Sequence, residues 1–241
     1  MRRLLRPGWA GAAVLLALAS GLAARAAPLL APLGEPAAWA PAPLPAQKLP
    51  PTRFEVVDLE GMRSLRIVAE GSYGNLVHQV PPAAATAGTL RWRWRLEEPI
   101  AGADLKTRAG DDAAVKVCAL FDLPDERIPF VERQLMRVAR LASGQRLPGA
   151  TLCYVWAPLV PAGQVLPNAH TRRMRWIVLQ GQGAPLGSWR EERRDLRADF
   201  LRAFGDEATE PPPLVAVLVG ADADNTGGRG RAVLQALELA P

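Results

Sequence analysis

From Arg53 onward, apolar and polar residues alternate with a period of two, which places alternate side chains on opposite faces of an extended strand. Phe54, Val56 and Asp58 alternate with Glu55 and Val57, and Leu65, Ile67 and Ala69 alternate with Arg66 and Val68. Gly61 and the stretch from Gly71 to Gly74 punctuate these runs as turns, and Asn75 to Val80 reads as a strand stopped by Pro81-Pro82. The clearest strand is Thr89 to Glu97, with Leu90, Trp92, Trp94 and Leu96 on one face and Arg91, Arg93 and Arg95 on the other. Asp112 to Phe121 repeats the pattern, grouping Val115, Val117, Ala119 and Phe121. Further strands are predicted over 151–157, 172–180, 188–194, 214–220 and 232–239. The period changes twice. Over 127–142, Phe130, Val131, Leu135, Val138, Ala139 and Leu141 fall near helical spacing. Asp195 to Phe204 reads as a short amphipathic helix with Leu196, Phe200 and Phe204 inside, closed by Gly205. About ten strands without strand–helix–strand alternation predict a mainly β fold: a two-sheet β-sandwich, jelly-roll-like, with one or two short helices.

The pattern before residue 52 is different. Arg2, Arg3 and Arg6 form a basic head, Ala10 to Ala24 an apolar run, and Ala24-Arg25-Ala26 a small-x-small site. Residues 1–26 therefore read as a signal peptide cut before Ala27, which makes the expected localisation periplasmic or secreted. An uncleaved anchor is the competing reading, although the run is shorter than the roughly 20 apolar residues that span a bilayer. No later segment reads as a span, and no Cys lies near the cut to carry a lipid. Residues 27–51 are mostly Ala, Pro and Leu and read as a stiff linker, leaving 52–241 as one domain.

Charge then changes its meaning. The formal net charge is +5, but residues 1–26 hold four Arg and no acid, so the remainder carries +1. That is no footprint for nucleic acid, whose binding rests on clustered phosphate contacts. Cys118 and Cys153 both fall in predicted strands. Pairing suits an oxidising compartment, whereas two small buried hydrophobes is the reading that ordinary cysteine burial favours. No Cys/His spacing suggests zinc.

Two acidic segments carry candidate chemistry. Asp111-Asp112 follows Lys106 and Gly110; adjacent residues at a strand start point apart, so the pair is poorly placed to share a proton. It is either an Asx turn opening a strand or a carboxylate site beside Lys106 that accepts hydrogen bonds from a polar ligand or binds a cation. Asp222-Ala223-Asp224-Asn225-Thr226-Gly227 places alternate oxygens before a Gly, as at the front of a calcium loop, but lacks a closing Glu at the required spacing. Asp222, Asp224 and Asn225 are thus either calcium ligands or a hydrogen-bonded hairpin turn. The chain has seven Trp. Trp92 and Trp94 share a face with leucines and read as core, whereas Trp189, beside Gly187 and Ser188, is the candidate platform for stacking a sugar or aromatic ring. His78 and His170, the only histidines, lie in no hydrolase motif.

Taken in order, Leu90-Arg91-Trp92-Arg93-Trp94, Asp104-Leu105-Lys106-Thr107 with Gly110-Asp111-Asp112, Leu152-Cys153-Tyr154-Val155-Trp156 and Asp222 to Gly227 resemble the bacterial family called domain of unknown function 3047. The resemblance covers about residues 53–239 and implies an exported single domain without an established activity. Ala113 and Leu234-Gln235-Ala236-Leu237 stand where that family's members commonly carry an aromatic residue and an acid. The function expected is noncatalytic binding of a carbohydrate or another cell-envelope component. The alternatives are a polysaccharide-acting enzyme using Asp111 or Asp112, and a protein-interaction scaffold.

Overall fold

The computed structural model describes residues 28–44, 47–82, 85–86, 88–143 and 147–240; the leader and its cleavage site lie outside them. The strands are β1 (Ala40–Pro41), β2 (Arg53–Leu59), β3 (Met62–Glu70), β4 (Tyr73–Gln79), β5 (Thr89–Glu98), β6 (Ala113–Phe121), β7 (Ala150–Trp156), β8 (Val165–Pro167), β9 (Met174–Gln180), β10 (Arg190–Asp195), β11 (Leu214–Asp222) and β12 (Arg229–Ala240). Helix α1 (Phe130–Ser143) lies between β6 and β7, and α2 (Leu196–Phe204) follows β10. A seven-stranded sheet, ordered β1-β4-β11-β6-β7-β9-β8, stacks on a five-stranded sheet, ordered β10-β5-β12-β3-β2. The two-sheet β-sandwich is the predicted architecture. One pairing was not foreseen from the sequence: β7 and β9 run parallel, joined by the crossover that contains β8.

The core forms where the inward faces meet. Leu90, Trp92, Trp94 and Leu96 of β5 are buried as the alternation predicts. Trp92 meets Trp94 edge to face at 5.4 Å, Tyr154 of β7 lies 5.2 Å from Trp92, and Trp156 lies 6.0 Å from Trp94, so aromatic contacts tie one sheet to the other. Helix α2 adds Phe200, 4.8 Å from Phe121, with its first turn capped by the Asp195 carboxylate accepting from the Ala198 N–H. At the β2–β3 hairpin, Glu60 and Gly61 both have positive φ, the two-residue turn whose twist matches its strands. Among the described residues, no helix is long and apolar enough to cross a membrane.

Two expectations need correction. The segment read as a linker is packed: Leu30, Leu33 and Trp39 are buried, and β1 pairs with β4. The Trp39 indole donates to the Ala31 carbonyl and meets His78 edge-on at 5.1 Å, while the Ala31 N–H donates to His78 Nε2. A proline-rich composition suppresses regular structure, but three large apolar side chains were enough to dock the segment. For the cysteines, the reading as two buried hydrophobes gives way to the alternative of pairing: Cys118 and Cys153 form a disulfide. They are buried but directly opposite each other on neighbouring antiparallel strands, where side chains approach closely.

Replacing Trp94 by Ala removes a fully buried indole and its hydrogen bond to Glu192 Oε1. The expected loss is roughly 3–5 kcal/mol in denaturant melts. A variant that melts like the parent would contradict the core assignment.

Candidate functional site

The outer face of the seven-stranded sheet carries the site. Inward residues of β6, β7 and β11 supply the core, so the alternate residues Lys116, Cys118, Cys153, Leu218, Gly220 and Asp222 face outward. Asn75, Gly220, Lys116 and Val155 are consecutive partners across four strands. A Cβ at Gly220 would overlap the Asn75 amide oxygen and lie 3.0 Å from Lys116 Cε, so only glycine lets these two side chains lie over the strand. Below this row, the disulfide, Leu218 and Met174 supply an apolar floor. Together they bound a cleft of about 390 Å³.

Lys116 is the central charge. It is 3% exposed, and its ammonium donates to Asp222 Oδ2 at 2.7 Å. The other Asp222 oxygen accepts the Ala113 N–H at 3.1 Å. The ammonium also lies 5.2 Å from the Tyr73 ring centroid and 6.0 Å from that of Trp176. Burial works against the lysine charge, but Asp222, Tyr73 and Asp111 together outweigh it and hold the pKa above the ordinary lysine value.

Asp111 is the most perturbed acid. Burial, with the nearby Asp222 charge, pushes its carboxyl up to about 6, against the opposing pull of Asn168, His170 and Lys116. Its Oδ2 accepts from Asn168 Nδ2 and lies 3.8 Å from His170 Nε2. Asn168 is itself oriented by accepting the backbone N–H groups of His170 and Thr171. Asp224 is also raised, by burial and then by Asp222. Three buried oxygens in the lining residues have no partner among the described residues: Asn75 Oδ1, Asp111 Oδ1 and Asp224 Oδ1.

Asp111 and Asp112 point apart. While Asp111 faces the cleft, Asp112 accepts four hydrogen bonds from the β11–β12 loop, which crosses between the two sheets and is not the hairpin turn that the sequence suggested: the Asn225 and Thr226 N–H groups, Asn225 Nδ2 and Thr226 Oγ1. Asp112 therefore latches two loops together. The 222–227 turn lies beside the Asp111-Asp112 segment, but two of its three calcium-like side chains, Asp222 and Asn225, are turned to other work. Asp222 is engaged by Lys116, and the Asn225 amide donates to Asp112 and to the Asp111 carbonyl. Among the described residues, no group of three or more His, Cys, Asp or Glu side chains could hold a metal ion.

Lys106 is exposed in the loop before the pair and does not line the cleft. Trp189 lies just before β10, on the side of the opposite sheet. The Arg93 and Arg95 guanidinium groups each lie 4.9 Å from its ring, and its indole donates to Glu60. That engaged ring is far from a bare stacking platform. Tyr73, Asn75, Lys116, Asn168 and His170 were not among the site residues expected from the sequence. Lys116 had left a signal, because a lysine inside the run Val115-Lys116-Val117-Cys118 is out of place on a central strand unless a buried anion meets it.

The model of a family described as protein of unknown function (DUF3047) matches residues 37–238. The chain belongs to the DUF3047 family. No curated protein matches it. The DUF3047 match begins before β1 and takes in Trp39, which agrees with the packed segment preceding residue 52. It also covers every residue named in the cleft, from Tyr73 to Asn225.

Two outcomes follow for this DUF3047 domain. Lys116→Met leaves the buried Asp222 carboxylate unpaired and is expected to cost about 3–5 kcal/mol, whereas adding Asp222→Leu should restore much of that loss in urea melts. The second concerns pH. The folded state holds the Asp111 proton more tightly than the unfolded chain, so its contribution to stability is greatest below pH 3.8 and is lost as pH rises to about 6. Asp111→Asn should remove that decline, measured as the difference between parent and variant across the window.

Proposed function

We propose that the protein is an exported, noncatalytic binding domain whose cleft takes a carbohydrate or a similarly hydroxyl-rich envelope component. The observation that carries this reading is the set of three unpartnered acceptors, Asn75 Oδ1, Asp111 Oδ1 and Asp224 Oδ1. Buried acceptors left unbonded are costly, and a ligand presenting several O–H donors supplies the kind of partner they lack. A cleft volume near 390 Å³ lies in the range of small-ligand sites. The floor of Leu218, Met174 and the disulfide gives the apolar face of a sugar ring a surface to lie on. Export rests on the leader-like residues 1–26.

A second reading has one observation in its favour. A carboxyl with a pKa of about 6 keeps a transferable proton in mildly acid or neutral surroundings, so Asp111 suits general-acid chemistry on a glycosidic bond. Asp222, held by Lys116, would then supply negative charge beside it.

A screen of cell-wall and capsular glycan fragments by calorimetry tests both. Binding without turnover is expected, weakened about tenfold or more by Asp111→Ala or Asp224→Ala, the effect of losing one charge-assisted hydrogen bond. Turnover with a pH limb near 6 that disappears in Asp111→Asn would establish the enzymatic reading instead. Fragments that bind equally well to parent and variants would exclude the cleft as their site.

A further inference from the structure

Helix α1 is built inside out. Phe130, Val131, Leu135, Val138 and Leu141 are between 60% and 86% exposed, whereas Met136 is its one buried residue among those with described side chains. At about 100° per residue, those five fall within an arc of about 140°, a continuous apolar stripe along the helix. The opposite, polar side holds the helix to the body. Arg140 Nη1 donates to both Asp125 oxygens at 3.0 Å, Arg133 Nη1 donates to the Asp125 carbonyl, and Glu132 lies 3.7 Å from Arg173.

We propose that α1 docks the protein on a bilayer surface bearing anionic headgroups, with its apolar stripe laid into the interface. An apolar face flanked by arginine is the pattern of helices that lie in that plane, where hydrophobic burial and attraction to anionic lipid add. The charge arrangement supports this occupant. Glu132, the only acid of the helix, turns inward to Arg173. Arg137 is exposed on the rim of the stripe, Arg127 is exposed just before the helix, and neither has an acidic partner among the described residues. The outward surface is therefore apolar with a cationic border. A second copy of the same surface would bring like charges together, whereas anionic headgroups complement them. The stripe spans eleven residue steps from Phe130 to Leu141, about 16 Å, so it contacts the interface without crossing the membrane.

The test is co-sedimentation of the full chain with phosphatidylglycerol/phosphatidylcholine vesicles and with phosphatidylcholine vesicles. The parent should bind the anionic vesicles, less so as salt is raised. Val138→Asp with Leu141→Asp should weaken binding about tenfold or more, and Arg137→Glu should reduce the preference for phosphatidylglycerol. All three positions are exposed, so thermal melts should match the parent and show that each variant folds. Residues 1–26 are common to every variant, so the differences report on α1. Absence of binding to anionic vesicles, or binding indifferent to these substitutions, would overturn the proposal. So would a concentration-dependent dimer that the same substitutions abolish, since the stripe would then be covered by a second copy.

Discussion

The outer face of the large sheet is organised around one ion pair, Lys116 with Asp222. A lone ammonium on a central strand is unfavourable, and the sheet answers by placing a carboxylate on the adjacent strand at 2.7 Å. Several neighbouring features follow from that pair. Gly220 must stay small so that Lys116 and Asn75 can lie across it. Tyr73 and Trp176 present ring faces to the same ammonium. The charge of Asp222 also adds to burial, the larger cause, in raising the carboxyls of Asp111 and Asp224.

The loops show how neighbouring residues divide their tasks. Asp112 spends its oxygens on the 225–226 turn and makes the rim of the cleft rigid. Asp111, one residue earlier, is left with an oxygen that nothing in the described chain satisfies. A binding surface needs both kinds of group, one satisfied to hold position and one unsatisfied to recognise a ligand.

Most of the sandwich was legible in the sequence because each long strand has one face in the core, and a period of two records that fact directly. Thr89 to Glu97 is the plainest case. The central strand β6 was legible for its inward residues only, since its outward face is covered as well and Lys116 and Cys118 look like interruptions. Strands β1 and β8 are two and three residues long and leave no periodicity to read. The cleft was half visible. Asp111, Asp222 and Asp224 are marked by their turns, but Tyr73 and Asn75 join them through the pairing of β4 with the distant β11, and Asn168 from the loop after β8, which no local pattern encodes. The docking of Trp39 belongs to the same class, because a proline-rich run shows where backbone hydrogen bonds are lost and says nothing of what its side chains find.

The way the sheets end has its own consequence. The seven-stranded sheet terminates in the two shortest strands, β1 and β8, and the five-stranded sheet in β10, whose six residues Arg190 to Asp195 are all charged, and in β2, which alternates Arg53, Glu55 and Asp58 with apolar residues. Short or charged borders are how β proteins discourage an incoming strand from continuing the ladder. Recognition by strand addition, the common route by which sandwiches capture extended peptides, is thereby made unfavourable at these borders. The surfaces left open to contact are then those of side chains on the faces, loops and helices, where chemical identity rather than backbone shape distinguishes one partner from another.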